Sequence, residues 1–267
     1  SSGLKKVFVS IKDPDVRVSG KGLDQLRKAG IEVNLGLCES EAIAINKSFI
    51  HRNLTNQSYG VLKWAMSMDG RIGLKNGKSK WITDDYSRSV VHSLRADFDA
   101  IIVGGNTLRK DNPLLTTRGK KYPEPLRVVF TRTLNLPWER NLWNCDIAKT
   151  LVVYDESSAN EKYLDNLPSC VEFAKVPSDN PNLLSQLLAE RGLNKILWEC
   201  GPNLATSAIK NGCIQETIAF IAPKILGGDS SMTPFADFHF EDMDEVKILN
   251  KSTIQLLDKD ICIKNIL

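Results

Sequence analysis

Three kinds of side chain in this sequence could do chemistry together: a lysine on a strand, carboxylates at element ends, and a pair of arginines. Lys63 lies in Lys63-Trp64-Ala65-Met66-Ser67-Met68-Asp69-Gly70-Arg71, which reads as a strand running into an Asp-Gly turn. Inside a sheet a lysine needs an anionic partner or a ligand, because burying an unpaired ammonium is costly. On a sheet edge it would simply face water. In Trp198-Glu199-Cys200-Gly201-Pro202-Asn203-Leu204 an apolar strand ends in a carboxylate, a glycine allows close backbone approach, and a proline opens a helix. Helix N-termini carry unpaired N–H groups and the positive end of the dipole, so they take phosphates well. Read alone, the segment is first an ordinary strand-to-helix turn with proline at its start. Asp111, Arg95 and Arg118 form a candidate anion-recognition group, since a guanidinium fork pairs two phosphate or carboxylate oxygens at once. A solvated surface residue is the plainer reading of a lone arginine, and Arg95, late in a helix, also suits the dipole.

Such groups must be held by regular elements. Residues 4–12 are β-rich, Leu23, Leu26 and Ala29 share a helical face that Gly30 ends, residues 31–35 alternate like a strand, and residues 40–51 read as a helix. This β-α-β-α block of about fifty residues is small for a domain that buries its own core. The polar run 53–58 is the linker candidate. Beyond it, residues 59–67, 100–103, 127–130, 150–154, 195–199 and 217–222 read as strands. Between them Thr83 is the expected N-cap of a helix with Asp84 and Asp85 in its first turn and Val90, Val91 and Leu94 on its buried stripe. Asn180 caps a second helix with Pro181 at its first position. Residues 254–257 and 261–266 read as a terminal hairpin. Strands alternating with helices imply an α/β fold with a largely parallel sheet. Gly104-Gly105-Asn106-Thr107 repeats the order of strand, small residues and helix, but no complete GxGxxG is present.

Composition permits this frame. With 267 residues and 42% hydrophobic content the chain can bury a large core, and 25% charged residues do not indicate disorder. A net charge of +3 is too small to argue for a nucleic-acid surface. No apolar run approaches the length of a membrane span, so no membrane partner is expected. The six cysteines contain no C-x-x-C pair, and free thiols in a reducing compartment are expected.

The order Lys63–Arg71, Ser79-Lys80-Trp81-Ile82-Thr83, Asp111-Asn112-Pro113-Leu114-Leu115-Thr116-Thr117-Arg118, Glu199–Leu204 and Ala222-Pro223-Lys224-Ile225-Leu226-Gly227-Gly228 resembles the reductase half of the bifunctional riboflavin-biosynthesis deaminase/reductases. The resemblance implies a dihydrofolate-reductase-like, mixed and mostly parallel sheet flanked by helices. It also implies NADPH as cofactor and reduction of the ribose of 5-amino-6-(5-phosphoribosylamino)uracil, with hydride delivered to C1′. It carries Lys63, Asp111 and Glu199 over as the groups around the reacting sugar, without deciding which donates the proton. Ser79, Arg95, Leu115, Arg118 and Glu199 would hold the substrate and its phosphate. Ala65, Trp81, Thr107 and Asp111 would contact the cofactor, with Gly201, Pro202, Asn203, Leu204, Ala205, Thr206 and Ser207 around its phosphates. Arg132, just past a strand, is a candidate for the adenosine phosphate, or a solvated loop residue. Where the family often has Asp-Asp-Pro, this chain has Asp111-Asn112-Pro113.

Residues 1–52 resemble the tail of the preceding deaminase domain, so the expected organisation is a deaminase remnant, a linker at 53–58 and a reductase domain at 59–267. A zinc deaminase needs H-x-E and P-C-x-x-C. The only H-x-E is His239-Phe240-Glu241 and no cysteine follows a proline, so neither zinc nor deamination is expected of this chain. The opening Ser1-Ser2-Gly3, without Met, suggests a missing upstream part. The resemblance implies a homodimer in the cytoplasm or an organelle stroma. A related reductase with another pterin or pyrimidine substrate, and a non-catalytic remnant used for binding or assembly, are the alternatives.

Overall fold

A computed structural model describes residues 3–228 and 231–267. The chain first forms β1 (Lys6–Val9), α1 (Lys21–Lys28), β2 (Glu32–Leu35) and α2 (Glu39–Thr55). β1 and β2 pair in parallel as a two-stranded sheet, and neither helix has a fully buried residue. The block is thinly packed, as its length suggests. α2 runs further than the sequence pattern indicates and absorbs Asn53–Thr55, the first half of the expected linker. The side chains of Asn53 and Thr55 turn back onto the carbonyls of Phe49 and His51, both at 2.8 Å, so polar residues here extend the helix instead of ending it.

The larger part is one nine-stranded sheet. Its elements are β3 (Tyr59–Ser67), α3 (Asp85–Arg95), β4 (Ala100–Gly104), α4 (Gly105–Asp111), β5 (Leu126–Thr131), β6 (Thr150–Asp155), β7 (Glu172–Val176), α5 (Pro181–Glu190), β8 (Lys195–Trp198), α6 (Pro202–Lys210), β9 (Glu216–Ala222), β10 (Asn250–Leu257) and β11 (Asp260–Ile266). The strand order is β10-β11-β9-β3-β8-β4-β5-β6-β7. All pairings from β9 through β7 are parallel, and the terminal hairpin adds two antiparallel strands. This is the mixed, mostly parallel sheet expected.

Side chains alternate across each strand, so the sheet builds two cores. Val61, Ile101, Val103 and Val129 pack on one face with Val91 of α3 and Leu108 of α4. Leu62, Ile102, Val128 and Trp198 pack on the other with Leu184 of α5 and Ala208 of α6. Burying each large apolar side chain contributes roughly 1.5–3 kcal/mol. At the start of β3 a side chain would force the backbone to move: a Cβ on Gly60 would lie 1.9 Å from the Cys213 carbonyl oxygen.

Three local expectations change. The cap of α3 is Asp84, whose Oδ1 accepts the Ser87 N–H at 2.7 Å, while Thr83 is buried one residue earlier. β7 carries no strong apolar run and pairs only with β6 at the sheet edge, where polar residues are tolerated. Cys145 and Cys170 form a disulfide with Cα atoms 6.2 Å apart, so only Cys38, Cys200, Cys213 and Cys262 are free thiols. Folding brings the loop before β6 against the loop before β7, and no motif spacing announces that approach.

Candidate active site

A cavity of about 690 Å³ opens at the carboxyl ends of β3, β4, β5 and β8, where open α/β sheets gather ligands. Lys63 and Ala65 reach it from β3, Glu199 from the residue after β8, and Thr131 from the end of β5. The first turns of α4 and α6 supply Thr107 and residues 201–204, with Ser207 one turn on. Neither helix has a side-chain cap, so the first N–H groups of α6, beginning at Asn203, are open to a ligand.

The floor is a buried ionic cluster. Arg95 grips Glu199 with two bonds, Nε to Oε1 at 2.7 Å and Nη2 to Oε2 at 3.1 Å. Its Nη1 donates to the Thr116 carbonyl at 3.0 Å. Lys63 Nζ lies 3.6 Å from Glu199 Oε2 and 5.6 Å from the centre of the Phe220 ring. All three charged side chains are nearly buried, at 11%, 11% and 15% exposure for Arg95, Glu199 and Lys63. Burial alone would push the Glu199 carboxyl up; Arg95 and Lys63 outweigh it and hold the group at about 2. Burial lowers Lys63 from the ordinary lysine range, against the pull of Glu199. At neutral pH Glu199 is therefore a fixed anion and cannot donate a proton, whereas Lys63 is made more acidic by its surroundings.

Asp111, last in α4, stands on the rim. Water reaches it, yet the walls strip enough solvent away to raise its carboxyl above the ordinary range, against Lys80 and Lys110. Ser79 also lines the cavity, on a segment fastened by Ile72 N–H to the Met232 carbonyl at 2.8 Å. Cys200 also lines the cavity; burial pushes its thiol up to about 12 and leaves it unreactive.

Other expected residues lie off the wall. Arg95 is behind Glu199 and spends its fork on that carboxylate, so the expectation that it reaches the substrate directly does not match its position. Ala205 and Thr206 face the core, and Thr206 Oγ1 accepts the Ala236 N–H at 2.9 Å. Trp81 is 63% exposed with the Arg88 guanidinium 4.4 Å from its ring centre. Leu115 is buried and Arg118 exposed, both in left-handed backbone at φ 52° and 54°. Such backbone is costly for non-glycine residues. The intervening Thr117 anchors the turn, its N–H and Oγ1 donating to Glu124 at 2.7 and 2.8 Å. Arg118 makes no hydrogen bond or ion pair among the described residues, and its charge helps to lower His92.

Arg132 lines the cavity beside Thr131 and Thr133. The two threonines were missed, although they share the signal that singled out Arg132, a polar run just past a buried strand. Met232 and Asp179 were missed for lack of any signal, because long-range folding alone brings them to the rim. Among the described residues no group of three His, Cys, Asp or Glu could hold a metal ion.

A family model described as the RibD C-terminal domain matches residues 58–263. The riboflavin biosynthesis protein RibD of Synechocystis is 40% identical over 260 residues, covering 97% of this chain and 70% of that protein. The RibD structure from Acinetobacter baumannii aligns with a TM-score of 0.85 and 32% identity, over 98% of this chain and 72% of that one. A Thermotoga maritima structure, described as a diaminohydroxyphosphoribosylaminopyrimidine deaminase/5-amino-6-(5-phosphoribosylamino)uracil reductase, aligns with a TM-score of 0.84 and 28% identity, over 99% and 72%.

Proposed function

Since the chain belongs to the RibD C-terminal domain family, we propose that its cavity pairs NADPH with 5-amino-6-(5-phosphoribosylamino)uracil and reduces the ribose to a ribityl chain. The chain is a pyrimidine reductase of riboflavin biosynthesis. NADPH, when bound, supplies the hydride that adds to C1′ of the opened sugar. The cavity fits such a group: it has the volume, an uncapped helix end at Gly201–Asn203 for the diphosphate, and Arg132 with its threonine neighbours for a further phosphate.

The observation that carries the reading is the Lys63–Glu199–Arg95 cluster opening onto that cavity. Glu199, held ionised, accepts hydrogen bonds from the sugar hydroxyls and fixes C1′. Lys63 is the proton donor that balances the hydride, because its amine stands beside Glu199 on the cavity wall, nearly dry and made more acidic by burial. Asp111 faces the same space from α4 and orients the sugar against the cofactor. Arg118 takes the substrate phosphate, and Arg95 acts through Glu199 instead of on the substrate. Ser79 and Leu115 contact the substrate, and Trp81 and Ala65 flank the cofactor.

Residues 1–52 are assigned to the end of a cytidine-deaminase-like domain, followed by a short linker and the reductase domain. In support, the family model starts at residue 58, while the RibD alignment from Acinetobacter takes in 98% of the chain. A homodimer through β10, in the cytoplasm or a stroma, completes the reading.

The test is NADPH oxidation by the purified chain, followed by the cofactor's absorbance. Turnover should require the phosphoribosylamino uracil. Arg118→Ala should raise the substrate KM far more than it weakens NADPH binding; equal losses in both would contradict the assignment.

A further inference from the structure

Asp111 ends α4, a helix of seven residues and too short to hold its own geometry. Asn112 follows in the left-handed conformation at φ 44°. A left-handed helix end is usually closed by the next backbone N–H, but the next residue is Pro113 and has none. The closure comes from a distant segment. Arg140 donates Nε to the Leu108 carbonyl and Nη2 to the Arg109 carbonyl, both at 3.1 Å. The Asn141 N–H donates to Asn112 Oδ1 at 2.8 Å, and Asn141 Nδ2 donates to the Asn112 carbonyl at 3.0 Å. Arg140 has no carboxylate partner among the described residues, so its charge faces the negative end of the helix. The segment is rigid in turn: the buried Arg127 donates to the carbonyls of Leu142 at 2.8 Å and Asn144 at 2.9 Å.

We infer that Arg140 and the Asn112–Asn141 pair are positioning residues that hold Asp111 over the cavity without touching substrate or cofactor. None of the three lines the cavity. The inference rests on the placement of Asp111 beside the reacting sugar. An error of about 1 Å in a group that close to C1′ costs on the order of a hundredfold in rate.

Four single variants and one double variant test it, with kcat and NADPH affinity measured for each. Asn112→Gly keeps the left-handed backbone and deletes the side-chain acceptor; Asn112→Asp keeps an acceptor oxygen. Arg140→Ala and Asn112→Gly should lower kcat by about tenfold or more while NADPH Kd stays within about threefold, and Asn112→Asp should retain roughly a third of kcat or more. In an Asp111→Asn background, Arg140→Ala should cost less than about twofold further, because a positioning effect disappears with the group positioned. Multiplying losses in the double variant, or an unchanged kcat in Asn112→Gly, would overturn the inference; the Asn112 pair decides the matter even if Arg140→Ala does not fold. A silent Asp111→Asn overturns the parent assignment and this inference together. A normal loss there, with Arg140→Ala and Asn112→Gly both silent, overturns the positioning alone.

Discussion

Glu199 balances two cations in a nearly dry site, and its charge is therefore a stability statement as well as a chemical one. The carboxyl sits at about 2 when folded, against an ordinary 4.5. Because the folded value is the lower, the stabilisation is complete above the ordinary carboxylate range and fades as pH falls from about 4.5 towards 2. The shift corresponds to about 3 kcal/mol. Glu199→Gln should lower unfolding free energy by about that much at pH 7, and urea denaturation should show the two proteins converging towards pH 2. A constant gap across that range would mean the loss is packing, not charge. If Arg132 holds the adenosine phosphate, Arg132→Ala should raise the KM for NADPH about tenfold and leave that for NADH unchanged, since one charge-assisted phosphate contact contributes about 1.5–3 kcal/mol. Lys63 and Glu199 were legible because each is a charged residue inside or at the end of an apolar run. The partner of Arg95 was not: it lies 104 residues away, and helical spacing says which face an arginine occupies, never what it meets.

Elements were legible wherever burial on both faces left a continuous apolar run. β3 was read to the residue, and β4 to within one. Edges and ends were harder. β7 is half exposed and looks polar, and α2 hides its last turn in residues that bond back to their own helix. The cap of α3 shifted by one because Asp84 has the extended backbone and its carboxylate takes the Ser87 N–H. Gly60 makes a clear test at this scale. Its Cβ would meet backbone, not a yielding side chain, so Gly60→Ala should force β3 away from the turn at Cys213. A stability loss of about 2–3 kcal/mol is expected, read as a lower urea midpoint with an unchanged slope. A loss below about 0.5 kcal/mol would show that the strand yields freely.

At the scale of the whole molecule, β10 is a sheet edge with Ile254 and Leu256 each 71% exposed. Exposed apolar edges invite pairing. If the homodimer forms there, Ile254→Lys with Leu256→Lys should give a monomer by light scattering; an unchanged mass would place the interface elsewhere. The Cys145–Cys170 link closes a loop of 25 residues and should contribute about 3 kcal/mol. A reductant should lower the melting temperature of the parent and not that of Cys145→Ser. Beyond the terminal hairpin this order was not readable beforehand, because strand sequence does not say which strands become neighbours. β3 lies between β8 and β9, and Lys63 pairs in register with Ile218. The strand that carries Lys63 is thus flanked by a segment translated some 150 residues later. A nascent chain that ends before β9 leaves the strand of Lys63 without one of its two neighbours, so native packing around that lysine waits until β9 has been made.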